Sequence, residues 1–137
     1  MKRRKQRIQD LGLIFKGKER RSGKRYDVRW DAVLDVRFPD FHGQLDVTIA
    51  NFSAGGALLH SQELSVGTHH LVVSDTKPEL TLQISLPERS VKLTTTIAWY
   101  NVSNKNGIFE IGVNFLHFKE ESNMTVDELV KSMREKT

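Results

Sequence analysis

The chain contains no cysteine. Disulfides, thiolate metal sites and cysteine nucleophiles are therefore excluded, and a reducing compartment is its natural setting. Proline is scarce, and two of the three, Pro39 and Pro87, fall where alternating apolar patterns stop. No apolar run approaches the roughly 20 residues a membrane-spanning helix needs, so no span is expected. Familiar catalytic signatures are missing too: there is no Walker phosphate loop, no GxGxxG and no HExxH. The carboxylates are scattered, Ser53 has no evident base, and the adjacent His69 and His70 would point to opposite faces of a strand, so they suit a surface turn better than a shared metal. An enzyme is not expected, nor a metal or cofactor.

What the chain does have is an uneven distribution of charge. Its 137 residues suit one domain. Residues 1–25 hold eleven Lys/Arg against Asp10 and Glu19, a charge of +9; the rest holds ten against fifteen Asp/Glu, or −5, and the total is +4. A basic segment on an acidic body commonly serves an anionic partner: nucleic acid, a nucleotide or a membrane surface. The opening Met1–Arg7 resembles the basic start of an export signal, but the apolar stretch behind it is short and interrupted by Asp10 and Lys16, so a cytoplasmic location is expected.

From Val28 the apolar period is two. Val28, Trp30, Ala32, Leu34, Val36 and Phe38 alternate with polar residues, Pro39–Gly43 reads as a turn, and Leu45, Val47 and Ile49 alternate in a second strand. Ala57–His60, Leu80–Leu86, Val91–Trp99 and Phe109–Phe115 read as further strands, with Leu71–Val73 a possible additional start. Asn104–Gly107 has the composition of a hairpin turn. The C-terminus then switches to helical spacing: Thr125 and Glu128 form a capping-box pattern ahead of Val126, Leu129, Val130 and Met133. The order is a basic tail over 1–18, a β-domain over 19–120 with six or seven strands, and a helix within 121–137. Short strands with regular turns imply an all-β barrel or sandwich.

Two elements carry recognition chemistry. The first is Arg20, then Arg21–Arg25, where two guanidiniums flank Gly23. Arginine's planar fork matches phosphate oxygens bidentately and can also stack on a purine. The second is Asn51-Phe52-Ser53-Ala54-Gly55-Gly56, between two strands. There Asn51 and Ser53 offer polar groups to a base edge, and the small residues keep bulk away from the backbone. Taken alone, this second element also reads as a β-bulge or turn.

Together they resemble the PilZ family. Arg21 and Arg25 match its RxxxR motif, and Asn51, Ser53 and Gly56 match its [D/N]xSxxG motif. Ile97-Ala98-Trp99 and Ile111–Phe115 are similar to its later strands, and the resemblance spans about residues 19–118. It implies a six-stranded antiparallel β-barrel, with a flexible basic N-terminal arm and a C-terminal α-helix, that binds cyclic di-GMP, a bacterial second messenger. Arg21 and Arg25 would take phosphates and guanine, Asn51 and Ser53 a guanine edge, and Gly55 and Gly56 would leave room for the base. Arg20, just before the motif, implies an intercalated ligand dimer, whose four phosphate charges suit another guanidinium. Asn51 stands where the family often has Asp, which offers both oxygens as acceptors where Asn offers one. Trp99 could stack on a guanine, although its alternating strand reads more simply as placing it in the core.

The implied function is a receptor or adaptor in which ligand binding orders the arm and alters contact with a downstream protein, regulating motility, surface attachment or polysaccharide output. Two readings compete with it: a nucleic-acid-binding barrel with a basic arm, which the acidic body disfavours, and a PilZ-like adaptor that no longer binds ligand.

Overall fold

The structure, a computed structural model, describes residues 24–67, 69–72, 77–103 and 107–136. The basic tail over 1–18, together with Arg20 and Arg21 of the arm, lies outside the described residues. The strands are β1 (Tyr26–Phe38), β2 (Phe41–Phe52), β3 (Gly56–Ser61), β4 (Ser65–Val66), β5 (His69–His70), β6 (Glu79–Ser85), β7 (Ser90–Ser103) and β8 (Ile108–Phe115). Helices α1 (Phe118–Ser122) and α2 (Val126–Lys136) complete the chain.

Six strands close a barrel in the order β1-β2-β3-β8-β7-β6, with β6 returning to β1 and every pairing antiparallel. Closure removes the exposed edges that an open sheet would leave. The alternation in the sequence is what fills the interior. Leu34, Val36, Ile49, Leu59, Leu82, Ile84, Leu93 and Ile111 are all fully buried, while Asp31, Arg37, Asp46 and Lys92 between them stay exposed.

The two ends of the barrel are closed differently. Near the start of β1, Phe52, Phe115 and Phe118 form an aromatic cluster with centroids 5.2–5.9 Å apart, and Trp30 packs on Phe52 at 5.4 Å. Leu129 and Met133 of α2 join the same core. The capping box forms as the sequence predicts: the Thr125 N–H donates to Glu128 Oε1 at 2.7 Å, and the Glu128 N–H donates to Thr125 Oγ1 at 3.1 Å. Helix α1, which the sequence pattern did not signal, is tied to β7 by Glu121, whose carboxylate accepts from the Thr94 N–H at 2.8 Å and hydroxyl at 2.6 Å.

At the opposite end, the excursion carrying β4 and β5 covers the β1–β2 turn. His69 stacks on Phe41 at 4.8 Å and leans on Phe38 at 4.7 Å. The histidine pair is therefore a short strand and not the turn expected. His70 turns to other neighbours, accepting at Nδ1 from the Val72 N–H at 3.0 Å. Leu71 and Val72 form a turn where a strand start was considered.

Candidate ligand-binding face

Strand alternation sets where each side chain should point, and at two places β-bulges override it. Along β2, Leu45, Val47 and Ile49 face inward. Asn51 should continue that inward series, but the register against β3 slips between Ile49 and Asn51, leaving Ala50 as the extra residue. Phe52 takes the inward position, fully buried, and Asn51 faces out. Its partner Leu58 lies between the buried Ala57 and Leu59 and so faces out as well.

The same happens on β7. Val91, Leu93 and Thr95 are buried and Ile97 packs on the core, so alternation puts Trp99 inside. A register slip between Ile97 and Trp99 reverses the phase at Ala98, and Trp99 pairs with Gly112 on the outer face. The simpler expectation of a core tryptophan is thus corrected. An ideal Cβ on Gly112 would fall 2.3 Å from Trp99 Nε1 and 2.4 Å from Cε2. The indole rests on bare backbone that only glycine provides.

One ladder row joins these positions. Asp27 pairs with Asn51, Asn51 with Leu58, Leu58 with Gly112, and Gly112 with Trp99. At the usual strand spacing this row follows about 19 Å of the barrel's circumference, through β1, β2, β3, β8 and β7. A third register slip, between Asp27 and Trp30 on β1, borders the same row. Bulges commonly occur where a sheet must re-aim a side chain at a functional site. Here two of them turn Asn51 and Trp99 outward on the same row.

Arg25 is exposed and immediately precedes Tyr26, whose partner is Phe52. It therefore enters beside the second motif, two residues ahead of Asp27. Lys24 lies next to it, with Nζ 5.4 Å from the Tyr26 ring centre. The Tyr26 hydroxyl donates to Asp127 Oδ1 of α2. That hydrogen bond raises the Tyr26 pKa above the usual phenol value; burial and the Asp127 charge add to the shift, and Lys24 opposes it.

Ser53 lies just past the end of β2 and is buried. Its hydroxyl donates to the Gly56 carbonyl and accepts from the Gly55 N–H, each at 3.3 Å, while its own N–H donates to the Gly56 carbonyl at 2.9 Å. The serine thus shapes the β2–β3 turn first and keeps one lone pair for a further donor. A Cβ on Gly56 would lie 2.1 Å from the Val113 carbonyl oxygen. No side chain fits at position 56, because β8 lies against the place a Cβ would occupy.

Asp27, Leu58 and Gly112 were missed in the sequence. Only Asp27 carried a local signal, its spacing of two from Arg25. A groove of about 860 Å3 lies elsewhere, lined by Asp31, Asp46, His60 and Glu63 among others. Its carboxylates make it a poor seat for phosphates.

A family model for the PilZ domain matches residues 19–132. The chain belongs to the PilZ family. No curated protein and no solved structure matches it. PilZ domains are β-barrel binding and adaptor domains, a family of cyclic di-GMP receptors, and the closed six-stranded barrel agrees with that membership. Of the PilZ motif residues, Arg25, Asn51, Ser53 and Gly56 meet at the junction of β1, β2 and β3, while Arg21 lies outside the described residues. No helix among the described residues is long and apolar enough to cross a membrane.

Proposed function

We propose that this chain is a cyclic di-GMP receptor whose basic arm closes on ligand held against the outer face of the barrel. The observation that carries this reading is the register row along which Asn51 and Trp99 both turn to the outer surface of the barrel, the indole lying back over Gly112 of β8 and Arg25 entering beside Asn51's end of the row. Guanidiniums from Arg20, Arg21 and Arg25 would neutralise the phosphates, Asn51 and the spare lone pair of Ser53 would meet a guanine edge, and the Trp99 indole would stack on a base. Closure of the arm would move residues 1–18 relative to the barrel and present a changed surface to a downstream protein. A cytoplasmic setting follows from the ligand. The acidic barrel gives a polynucleotide little to follow beyond the arm, which disfavours the nucleic-acid reading.

Calorimetric titration with cyclic di-GMP tests this directly. The wild type should release heat with two ligands per chain, as Arg20 implies, and Arg21→Ala and Arg25→Ala should each weaken binding at least ~10-fold through lost charge-assisted hydrogen bonds. No heat from the wild type at high micromolar ligand refutes the assignment.

A further inference from the structure

Asn51 leaves a chemical deficit that the structure bears on. The Watson–Crick edge of guanine presents two adjacent donors, N1–H and N2–H, beside the O6 acceptor. A carboxylate takes both donors at once, whereas Asn has one acceptor oxygen and an amide that donates. Directly across the β1–β2 ladder from Asn51 stands Asp27. Side chains so paired on one face have Cβ atoms about 4.5–5.5 Å apart, close enough to meet one base edge together. Asp27 is exposed, and no hydrogen bond or ion pair holds its carboxylate among the described residues. Arg25, two residues earlier in the chain and exposed, brings a cation to the same corner.

We infer that Asp27 is the guanine-selecting residue of this site, its carboxylate accepting from N1–H and N2–H while the Asn51 amide donates to O6. The inference rests on the cyclic di-GMP reading and adds a residue from outside both motifs. The carboxylate that the family often carries on β2 is supplied here one strand away, from β1. Selectivity follows from the same geometry. Adenine puts a lone pair at N1 where guanine puts a proton, so Asp27 faces repulsion there in place of a hydrogen bond. Hypoxanthine keeps N1–H but lacks the 2-amino group, so it satisfies only half of the carboxylate.

The test is a set of calorimetric titrations of wild type, Asp27→Asn and Asp27→Ala with cyclic di-GMP, cyclic di-AMP and cyclic di-IMP. The wild type should rank them guanine, hypoxanthine, adenine. Asp27→Asn should lose about 10- to 100-fold in cyclic di-GMP affinity, the range of one charge-assisted contact, and the spread among the three ligands should narrow. Adding Asn51→Asp to Asp27→Asn should restore both affinity and ranking, because the carboxylate returns on the other side of the same pair. Thermal midpoints should match wild type, since Asp27 is exposed. Binding of cyclic di-GMP by both single variants within about twofold of wild type, or more tightly, overturns the inference and leaves the receptor reading standing. A wild type that binds none of the three removes the receptor reading, and this inference with it.

Discussion

Gly112→Ala would test the outer face most directly, because two independent quantities depend on one added atom. The added methyl would sit 2.3 Å from the indole nitrogen and 2.4 Å from Cε2 of Trp99, where carbon contacts normally lie at about 3.5–4.0 Å. The β8 backbone is fixed by pairing on both sides, to Leu58 and to Trp99. The half-exposed indole must therefore lift by more than about 1 Å or swing out. Uncovering about 50–80 Å2 of its buried face costs about 1.2–2 kcal/mol at about 25 cal/mol per Å2. Replacing a strand glycine returns about 0.5–1 kcal/mol, so the net loss is about 1 kcal/mol. In a Trp30→Phe background, where emission comes from Trp99 alone, the variant should show a red-shifted spectrum, greater acrylamide quenching and a lower urea midpoint with unchanged slope. Cyclic di-GMP affinity should fall by about 10-fold, within the range for losing one stacking platform. An unchanged spectrum together with an unchanged urea midpoint would refute the seat that Gly112 forms for Trp99.

Two further outcomes are expected. Gly56→Ala brings a methyl to 2.1 Å from the Val113 carbonyl, so β3 and β8 must part by about 1 Å, disturbing the Ser53–Gly56 and Phe115–Gly55 backbone bonds, both 2.9 Å. At about 1 kcal/mol for each bond and about 1–3 for the overlap, the cost is about 3–5 kcal/mol, and a variant within about 1 kcal/mol of wild type in urea unfolding would contradict it. Asp35 should make the fold acid-sensitive. Burial pushes its pKa up, but hydrogen bonds from His42 at 2.7 Å and from Gln44, with the charges of His42 and Arg37, bring it below the ordinary carboxylate value. A carboxylate with a lowered folded pKa stabilises above its unfolded pKa, about pH 4, and that contribution disappears as pH falls through the lower folded value. Asp35→Asn should therefore be less stable than wild type at pH 5–7, with the gap closing as the solution is acidified below about pH 4; a gap that does not shrink on acidification would be inconsistent with this linkage.

Local features were legible in the sequence. Period-two alternation marked six of the strands because each reports its own burial, and Thr125 and Glu128 announced the cap because both partners lie within one turn. What stayed hidden depends on pairing between distant segments. Nothing in Ile49-Ala50-Asn51 or Ile97-Ala98-Trp99 marks the middle alanine as an extra residue, yet those two bulges decide that Asn51 and Trp99 face outward. Leu58 and Gly112 join the row only through register. The glycine at position 56 was readable as small but not as small against the Val113 carbonyl. Helix α1 is too short, at five residues, to show a period.

The same short segments serve the candidate site and the closed end of the barrel, which limits how a binding signal could leave. Asp27 and Asn51 face out, while the adjacent Tyr26 and Phe52 connect to the structure behind them: Phe52 to the aromatic cluster with Phe115 and Phe118, and Tyr26 to Asp127 on α2. The row itself is pinned by ladder pairs on every strand, so a ligand resting on it has little barrel to move. If binding alters the protein surface, the change has two exits. One is Arg25 itself, which immediately precedes β1. The other is the Tyr26–Asp127 bond, which ties the start of the first strand to the first turn of α2. Removing it with Tyr26→Phe separates the exits: an output carried by the arm would persist, whereas an output carried by α2 would be lost at unchanged ligand affinity.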